Sequence, residues 1–511
     1  MKKITDLNEI KAMVEKRSLE MEEIHGRGEV RERELPFSFV QSCLRWNQAG
    51  DGELYKALFV DKFAFDRSSG AWLMWSGHHW VVDKKGGAYA AVGEVACEYE
   101  KKAEEIRRGL GELTKDERRW QEKLIGKLEK RAEQLRTKTR VDSTIFFAHT
   151  SQDSLSITGK EIDSAPNLMA FRNGVIDLET GRFRPGHQKD YLLKAVPHDF
   201  LGIETPAPEF KKAVDQIFLS DEETIDFFQR LCGSALIGGN PDQRITFCWG
   251  KSGSNGKNLL FDTICEVLGP LARPIPAGTL LQASYNSSSS APTPDLMMLK
   301  GLRLAVASEN DEFARIAQGR AKELTGNEFV IARGAYDKEM SVFSATHTIF
   351  LLTNDPPRAD GADAAFWRRV ILLEFPARFV DHPTAENEFK IDPGLKSKLK
   401  LEAAGILGWL VEGCLKWRVH GLAIPAKIQE AANQYRANED FVGQWIDEHC
   451  ILGDGHWAWA KDLYDNFSQW WSTAITSNPP KVQKFGRLMR KRFKYEKPSK
   501  IRYIGISLRE N

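Results

Sequence analysis

The stretch ITFCWGKSGSNGKNLLFDTICEVLG (245–269) constrains this chain more than any other. A short β-like run, a glycine-rich turn and an apolar helical run follow one another in the order that a phosphate-binding loop requires. In such a turn the backbone N–H groups face inward as an anion nest, and the helix start adds its positive dipole end. The spacing predicts that Gly250, Gly253, Ser254, Asn255, Gly256, Lys257 and Asn258 cradle a nucleotide's phosphates. Lys257 would reach the β- and γ-phosphates as a point charge. Two departures stand out. Five residues separate Gly250 from Gly256 where four are usual, and Asn258 occupies the position of the Ser or Thr that ordinarily ligates Mg²⁺. An Asn side-chain oxygen can still take the metal, directly or through water. A glycine-rich surface turn is the bland alternative.

The text downstream supplies the remaining parts of such a site. GLRLAVASENDE (301–312) is a buried-type strand released into acids, and Glu309 is the expected catalytic acid and Mg²⁺ partner. Asp311 and Glu312 read as solvated helix-start residues. THTIFLLTN (346–354) is a third strand ending in Asn354, a polar tip able to sense the γ-phosphate, although Asn before Asp-Pro-Pro is also an ordinary turn former. In AFWRRVILLEFP (365–376), Arg368 and Arg369 precede another apolar strand. An arginine supplied by a neighbouring subunit is worth ~10³–10⁵ in kcat in nucleotide hydrolases. One of the pair is expected to form a salt bridge locally, and Arg368 is the better candidate for the transferred charge.

The rest of the chain bounds the organisation. At 511 residues it holds about three domains at roughly 150 residues each. Apolar residues at 42% and charged residues at 28% support packed cores. A net charge of +1 says nothing about nucleic acid, so only local clustering can. Such clustering occurs in residues 481–511, where 11 Lys and Arg face two Glu. Arg490, Lys491 and Arg492 are the expected DNA contacts there, with salt-dependent and largely sequence-independent affinity. Tyr495 and Tyr503 can stack on bases or pack in the small core. Seven scattered cysteines without a C-x-x-C pair read as reduced thiols. The charged N-terminus reads as no signal peptide, and no apolar run is long enough to span a membrane. A cytoplasmic protein of a bacterial or phage-infected cell is expected.

Three stretches carry weaker signals. Residues 1–35 read as a charged helical lead-in, 36–90 as a small aromatic-rich β-containing unit, and 92–140 as solvated helices turning near Gly111. The segment 169–200 carries Asn-Gly and Thr-Gly hairpin signals, followed by a Pro-rich linker. The patch Ala283–Pro294 reads as a surface loop.

Taken together, NGKN (255–258), RLAVASE (303–309), KELTGNEFVIAR (322–333), FLLTNDPP (350–357) and FWRRVILLEF (366–375) resemble the superfamily 3 helicases, in the primase-helicase branch of phages, plasmids, mobile islands and poxviruses. FRNGVIDLETGRF before these motifs and GILGWLVEG after them look familial too. The resemblance implies an α/β fold: a P-loop AAA+-like ATPase core (201–394), an α+β N-terminal region (1–200), and a helical lid with a winged-helix-like basic domain (395–511). It implies a DNA helicase forming a homo-hexameric ring with ATP between subunits. It also implies a hairpin near Gly334–Ser344, with Lys338 at or near its tip, that grips DNA. Lys322 and Arg333 fall in the family's basic motif and face either DNA phosphate or ATP. A separate primase or replication initiator is a possible partner. The first 200 residues show no acidic metal triad, no zinc-ligand cysteines and no nuclease-type histidine pair, so neither priming nor nicking by this chain is expected. Two narrower outcomes stay open: an ATP-dependent origin-melting switch without processive unwinding, and a non-catalytic ring adaptor.

Overall fold

The computed structural model describes residues 35–251, 253–282, 292–309, 314–326, 328–335, 340–474 and 479–509. The charged lead-in and most of the Ala283–Pro294 patch therefore lie outside the described residues.

The chain opens with helices α1 (Phe37–Arg45) and α2 (Asn47–Phe59). A small sheet follows, β1 (Phe63–Asp66), β2 (Ala71–Trp75) and β3 (Trp80–Val82), which β4 (Ser156–Ile157) completes in the order β3-β2-β1-β4. Between them run α3 (Val92–Arg108), α4 (Lys115–Leu135) and α5 (Lys138–Thr150). The strands fit the β-containing unit read at 36–90, and the turn falls near Gly111; α1 and α2 add two helices at the start of that unit. Val40, Leu54, Tyr55 and Phe59 pack at helical spacing against Tyr99 and Leu128. Asp51, fully buried on α2, is held by Arg131 at 2.9 Å, Arg140 at 2.6 Å and the Tyr99 hydroxyl at 3.0 Å. A buried carboxylate persists only when paired in this way.

A second sheet comprises β5 (Leu168–Phe171), β6 (Gly174–Asp177), β7 (Arg182–Arg184) and β8 (Ala195–Val196), in the order β7-β6-β5-β8. The Asn-Gly hairpin signal corresponds to β5–β6, with Phe171 opposite Gly174, and the Thr-Gly signal to the β6–β7 turn. Helices α6 (Pro208–Ile217) and α7 (Glu222–Ser234) then lead to the central sheet.

That sheet has five strands: β9 (Ile245–Trp249), β10 (Ala272–Ile275), β11 (Leu304–Glu309), β14 (Thr348–Thr353) and β15 (Val370–Glu374). Their spatial order is β10-β11-β14-β9-β15, and every pairing is parallel. Near-continuous apolar runs suit a parallel sheet buried on both faces. Cys248, Val306, Phe350 and Leu373 join one core, shared with α7 and with α8 (Lys257–Leu268). Phe247, Ala305, Leu351 and Leu372 join the other. Beside the sheet lie α9 (Gln318–Thr325) and the antiparallel ribbon β12 (Phe329–Ala332) and β13 (Ser341–Ser344). The short α10 (Ala364–Trp367) leads into β15, and β16 (Arg378–Val380) pairs with β17 (Glu388–Lys390) beyond it.

Helices α11 (Leu395–Leu401) and α12 (Ala403–His420) were grouped with the C-terminal domain in the sequence reading. Their Leu399, Ile406 and Leu410 pack instead in the core under the central sheet. Gly413 explains part of the GILGWLVEG text: a Cβ there would stand 2.2 Å from the Gln229 carbonyl of α7. Helix α13 (Ala426–Asn438) covers the other face through Tyr435. A separate core then begins, built on Trp445, Phe467, Phe485 and Ile506. It joins α14 (Phe441–His449), α15 (Ala460–Ala474) and α16 (Val482–Arg490) to a sheet of β18 (Cys450–Trp459), β19 (Tyr495–Glu496) and β20 (Arg502–Leu508), ordered β18-β20-β19. The seven cysteines are all free. Among the described residues, no helix is long and apolar enough to cross a membrane.

Arg303, immediately before β11, ties the second sheet to the central one. Its buried guanidinium donates to the carbonyls of Pro166, Leu168 and Leu236. Burial pushes it down to about 10, with the Asp163 carboxylate opposing that shift. His347, before β14, is also fully buried, and desolvation pushes its imidazole from 6.5 down to about 4. The folded state therefore keeps this ring neutral while the unfolded chain takes up a proton below pH 6.5. Its contribution is complete above that pH and is lost as pH falls toward 4, by about 3 kcal/mol in all. We expect His347→Phe to flatten the fall in stability over this window relative to the parent, measured by denaturant unfolding at stepped pH.

Candidate functional site

The central sheet places the loop of residues 250–256 at the carboxyl end of β9, between β14 and β15. Ser254 and Gly256 both adopt positive φ, +62° and +80°, which turns successive amides toward one side. Contacts from beneath hold this shape. The Phe379 N–H donates to the Ser254 carbonyl at 2.7 Å, and the buried Asn255 amide lies 3.4 Å from the Gly250 carbonyl. A Cβ on Gly256 would stand 2.8 Å from Ile217. Lys257 opens α8 and is only 4% exposed; burial holds its ammonium below the usual lysine range. A cation kept this dry gains strongly from a bound anion.

Above the loop lies a cavity of about 530 Å³. Its polar side is formed by Gly253 to Asn258 with Ser308, Thr353 and Asn354. The rest of its lining is largely apolar, from Ala213 and Ile217 of α6, Phe379 of β16, and Leu395 and Leu399 of α11, with Asp392 among them. The cavity thus combines phosphate-binding groups with an apolar surface. Sequence reading found the first part and missed the second, because its residues come from three distant segments and form no motif.

The strand register brings the other candidates to the same edge. Glu309 aligns with Thr353, Thr353 with Trp249, and Trp249 with Glu374. Glu309 is therefore two strands, roughly 10 Å along the sheet, from the residue that opens the loop. Ser308 enters the cavity wall, while Glu309 is half-buried at the strand tip beside it. Asn354 lines the cavity as its strand-end position predicts. Asn258 is exposed on the wall.

Arg368 and Arg369 lie at the opposite end of the sheet, before β15. Arg368 is exposed; Arg369 donates to the Ala365 carbonyl at 2.6 Å. Neither forms an ion pair among the described residues, so the expected local salt bridge is not there. Lys322 is paired instead: its Nζ sits 2.7 Å from Asp363, the carboxylate that caps α10. Arg333 follows β12, with its backbone bonded to Thr293 in both directions. The β12–β13 ribbon forms the expected hairpin, but Lys338 lies outside the described residues. Arg492 is held 2.5 Å from Asp440, the cap of α14. Arg490 stands over the Tyr495 ring and Lys491 is exposed. Tyr503 is buried and donates to the Gly486 carbonyl, which makes it a core residue.

Residues 52–219 match the family described as D5 N terminal like. A putative helicase of Acanthamoeba polyphaga mimivirus is 28% identical over 338 residues, covering 63% of this chain and 35% of that protein. A putative helicase of Invertebrate iridescent virus 3 is 27% identical over 363 residues, covering 65% and 38%. Over residues 52–219 the chain is thus similar to the D5 N terminal like family, and over a longer stretch to putative viral helicases. Fowlpox virus Primase D5 is 24% identical over 258 residues, 48% of this chain and 31% of that protein. The chain spans about a third of the length of the curated relatives it matches. The NrS-1 C terminal region aligns over 89% of the chain at 12% identity, with a TM-score of 0.43.

The geometry of the loop yields a test. Gly256→Ala forces a side chain into left-handed backbone and against Ile217, costing about 1–3 kcal/mol. Thermal unfolding should show that loss together with weakened triphosphate binding. Adding Ile217→Ala should recover only the part due to the clash.

Proposed function

We propose that this chain is an ATP-dependent DNA helicase with a P-loop, AAA+-like core, working as a homo-hexameric ring of the superfamily 3 kind. One observation carries the reading: a buried lysine and a positive-φ amide loop line a cavity whose remaining lining is largely apolar, as a nucleoside triphosphate requires. In this reading Lys257 and the loop amides bind the phosphates. Glu309 orients the attacking water and takes its proton, and Asn354 fixes the water's direction of approach.

Mg²⁺ would neutralise phosphate charge during the reaction. Among the described residues, no cluster of three or more His, Cys, Asp or Glu could hold a metal by itself. The Asn258 amide and Ser308 hydroxyl in the wall are hard oxygen donors. They fit an ion that keeps water and phosphate in most of its shell, with Glu309, next to Ser308, as the strand-end carboxylate candidate.

The sheet also supports catalysis shared between subunits. Strand β15 runs parallel to β9, so Arg368 and Arg369 sit about a strand's length, roughly 16 Å, from the loop of their own chain. An arginine serving Lys257's phosphates then comes from a second copy. The three-stranded sheet and helices of the basic C-terminal unit fit a winged-helix-like DNA contact, and the β12–β13 ribbon with Lys338 fits a translocating hairpin.

Lys257→Ala should reduce DNA-stimulated ATP hydrolysis at least a hundredfold with an unchanged melting temperature; normal turnover would remove the nucleotide assignment. Lys338→Ala should retain hydrolysis and lose strand displacement. Particle symmetry by electron microscopy tests the ring.

A further inference from the structure

The outer face of the C-terminal sheet carries aromatic side chains that no core needs. Trp457 is 45% exposed although it lies within a paired strand. It sits opposite Ile504, and Trp459 sits opposite Arg502. These four positions share one face, whereas the alternate residue Ala458 faces inward, opposite the buried Tyr503. The Trp457 and Trp459 rings stand 5.3 Å apart, edge to face. The Arg502 guanidinium lies over Trp457 at 5.2 Å; Tyr495, opposite Tyr503, belongs to the other face, where Arg490 stands over it at 5.7 Å. Two of the four cation–ring contacts among the described residues thus belong to this small unit.

The charge around these rings selects an occupant. Lys494, Lys497 and Lys500 are exposed on the hairpin that leads into Arg502, with Lys491 just before it. The opposing carboxylates are Glu496, paired with Arg502 at 2.6 Å, and Asp454 in the bulge of β18. Exposed rings flanked by cations match a polyanion that presents flat, apolar faces. Unpaired nucleic acid does so; a duplex keeps its base faces stacked inside.

We propose that this face, centred on Trp457 and Arg502, binds single-stranded DNA by stacking a base on the Trp457–Arg502 pair while the lysines of the 491–500 segment take the phosphates. This rests on the DNA-binding reading above and goes further by naming the strand state and the residues. The base stack is centred on the sheet rather than on Arg490 and Arg492, which stand over Tyr495 and against Asp440.

The test uses the full chain and fluorescence anisotropy, with a labelled oligothymidylate of about 20 nucleotides and a duplex of similar length. Trp457→Ala should weaken single-strand binding about tenfold, the order expected for one lost stack, and change duplex binding by less than about twofold. Trp457→Phe should restore most of the affinity. Trp457→Leu keeps apolar volume without a flat face and should behave like the alanine variant, which covers the case in which alanine unfolds the unit. Wild-type binding of both probes with unaffected Trp457 variants would overturn the platform alone, as would equal loss on both probes. If the wild-type chain binds neither probe, the DNA reading itself falls.

Discussion

All five strands of the central sheet run in one direction, and that decides where chemistry can occur. Every strand delivers its carboxyl end to the same edge, so residues from sequence positions 249, 309, 353 and 374 meet in one row. A parallel sheet also needs cover on both faces. The helices that provide it, α6 and α11 among them, supply the apolar wall of the cavity as a by-product of burying the sheet. The polar and apolar parts of the site thus follow from one topological fact.

How much was legible follows from the same geometry. The loop, the Asn354 tip and the Glu309 strand end were readable because each is a contiguous string whose chemistry depends on immediate neighbours. The wall formed by Ile217, Phe379 and Leu395 was not, because those residues are ordinary core residues until the chain brings them together. The partners of the basic candidates were hidden for a different reason. Lys322 and Arg492 look free in the sequence, but each finds a carboxylate, Asp363 or Asp440, already committed to capping a helix. Sequence shows charge; only the fold shows which charges are already neutralised. Trp457 passed unnoticed in the opposite sense, since an exposed tryptophan and a core tryptophan are written alike.

On the proposed reading, the C-terminal unit and the sheet edge would divide the work physically. Triphosphate chemistry needs dry, fixed donors, and Lys257 is almost wholly enclosed. A travelling strand needs contacts that form and release quickly, which exposed rings and solvated lysines provide. The difference in burial between the two sites fits ligands that would differ in residence.

Arg303 has a further consequence for dissecting this molecule. Its charge is dispersed over carbonyls drawn from both sides of the boundary between the second sheet and the central one. A fragment starting near residue 200 would keep Leu236 but discard Pro166 and Leu168, stranding a guanidinium in an apolar wall. The segment matching the D5 N terminal like family is therefore part of the central sheet's foundation rather than a detachable module, and any natural or engineered shortening that respects the fold has to cut upstream of that tie.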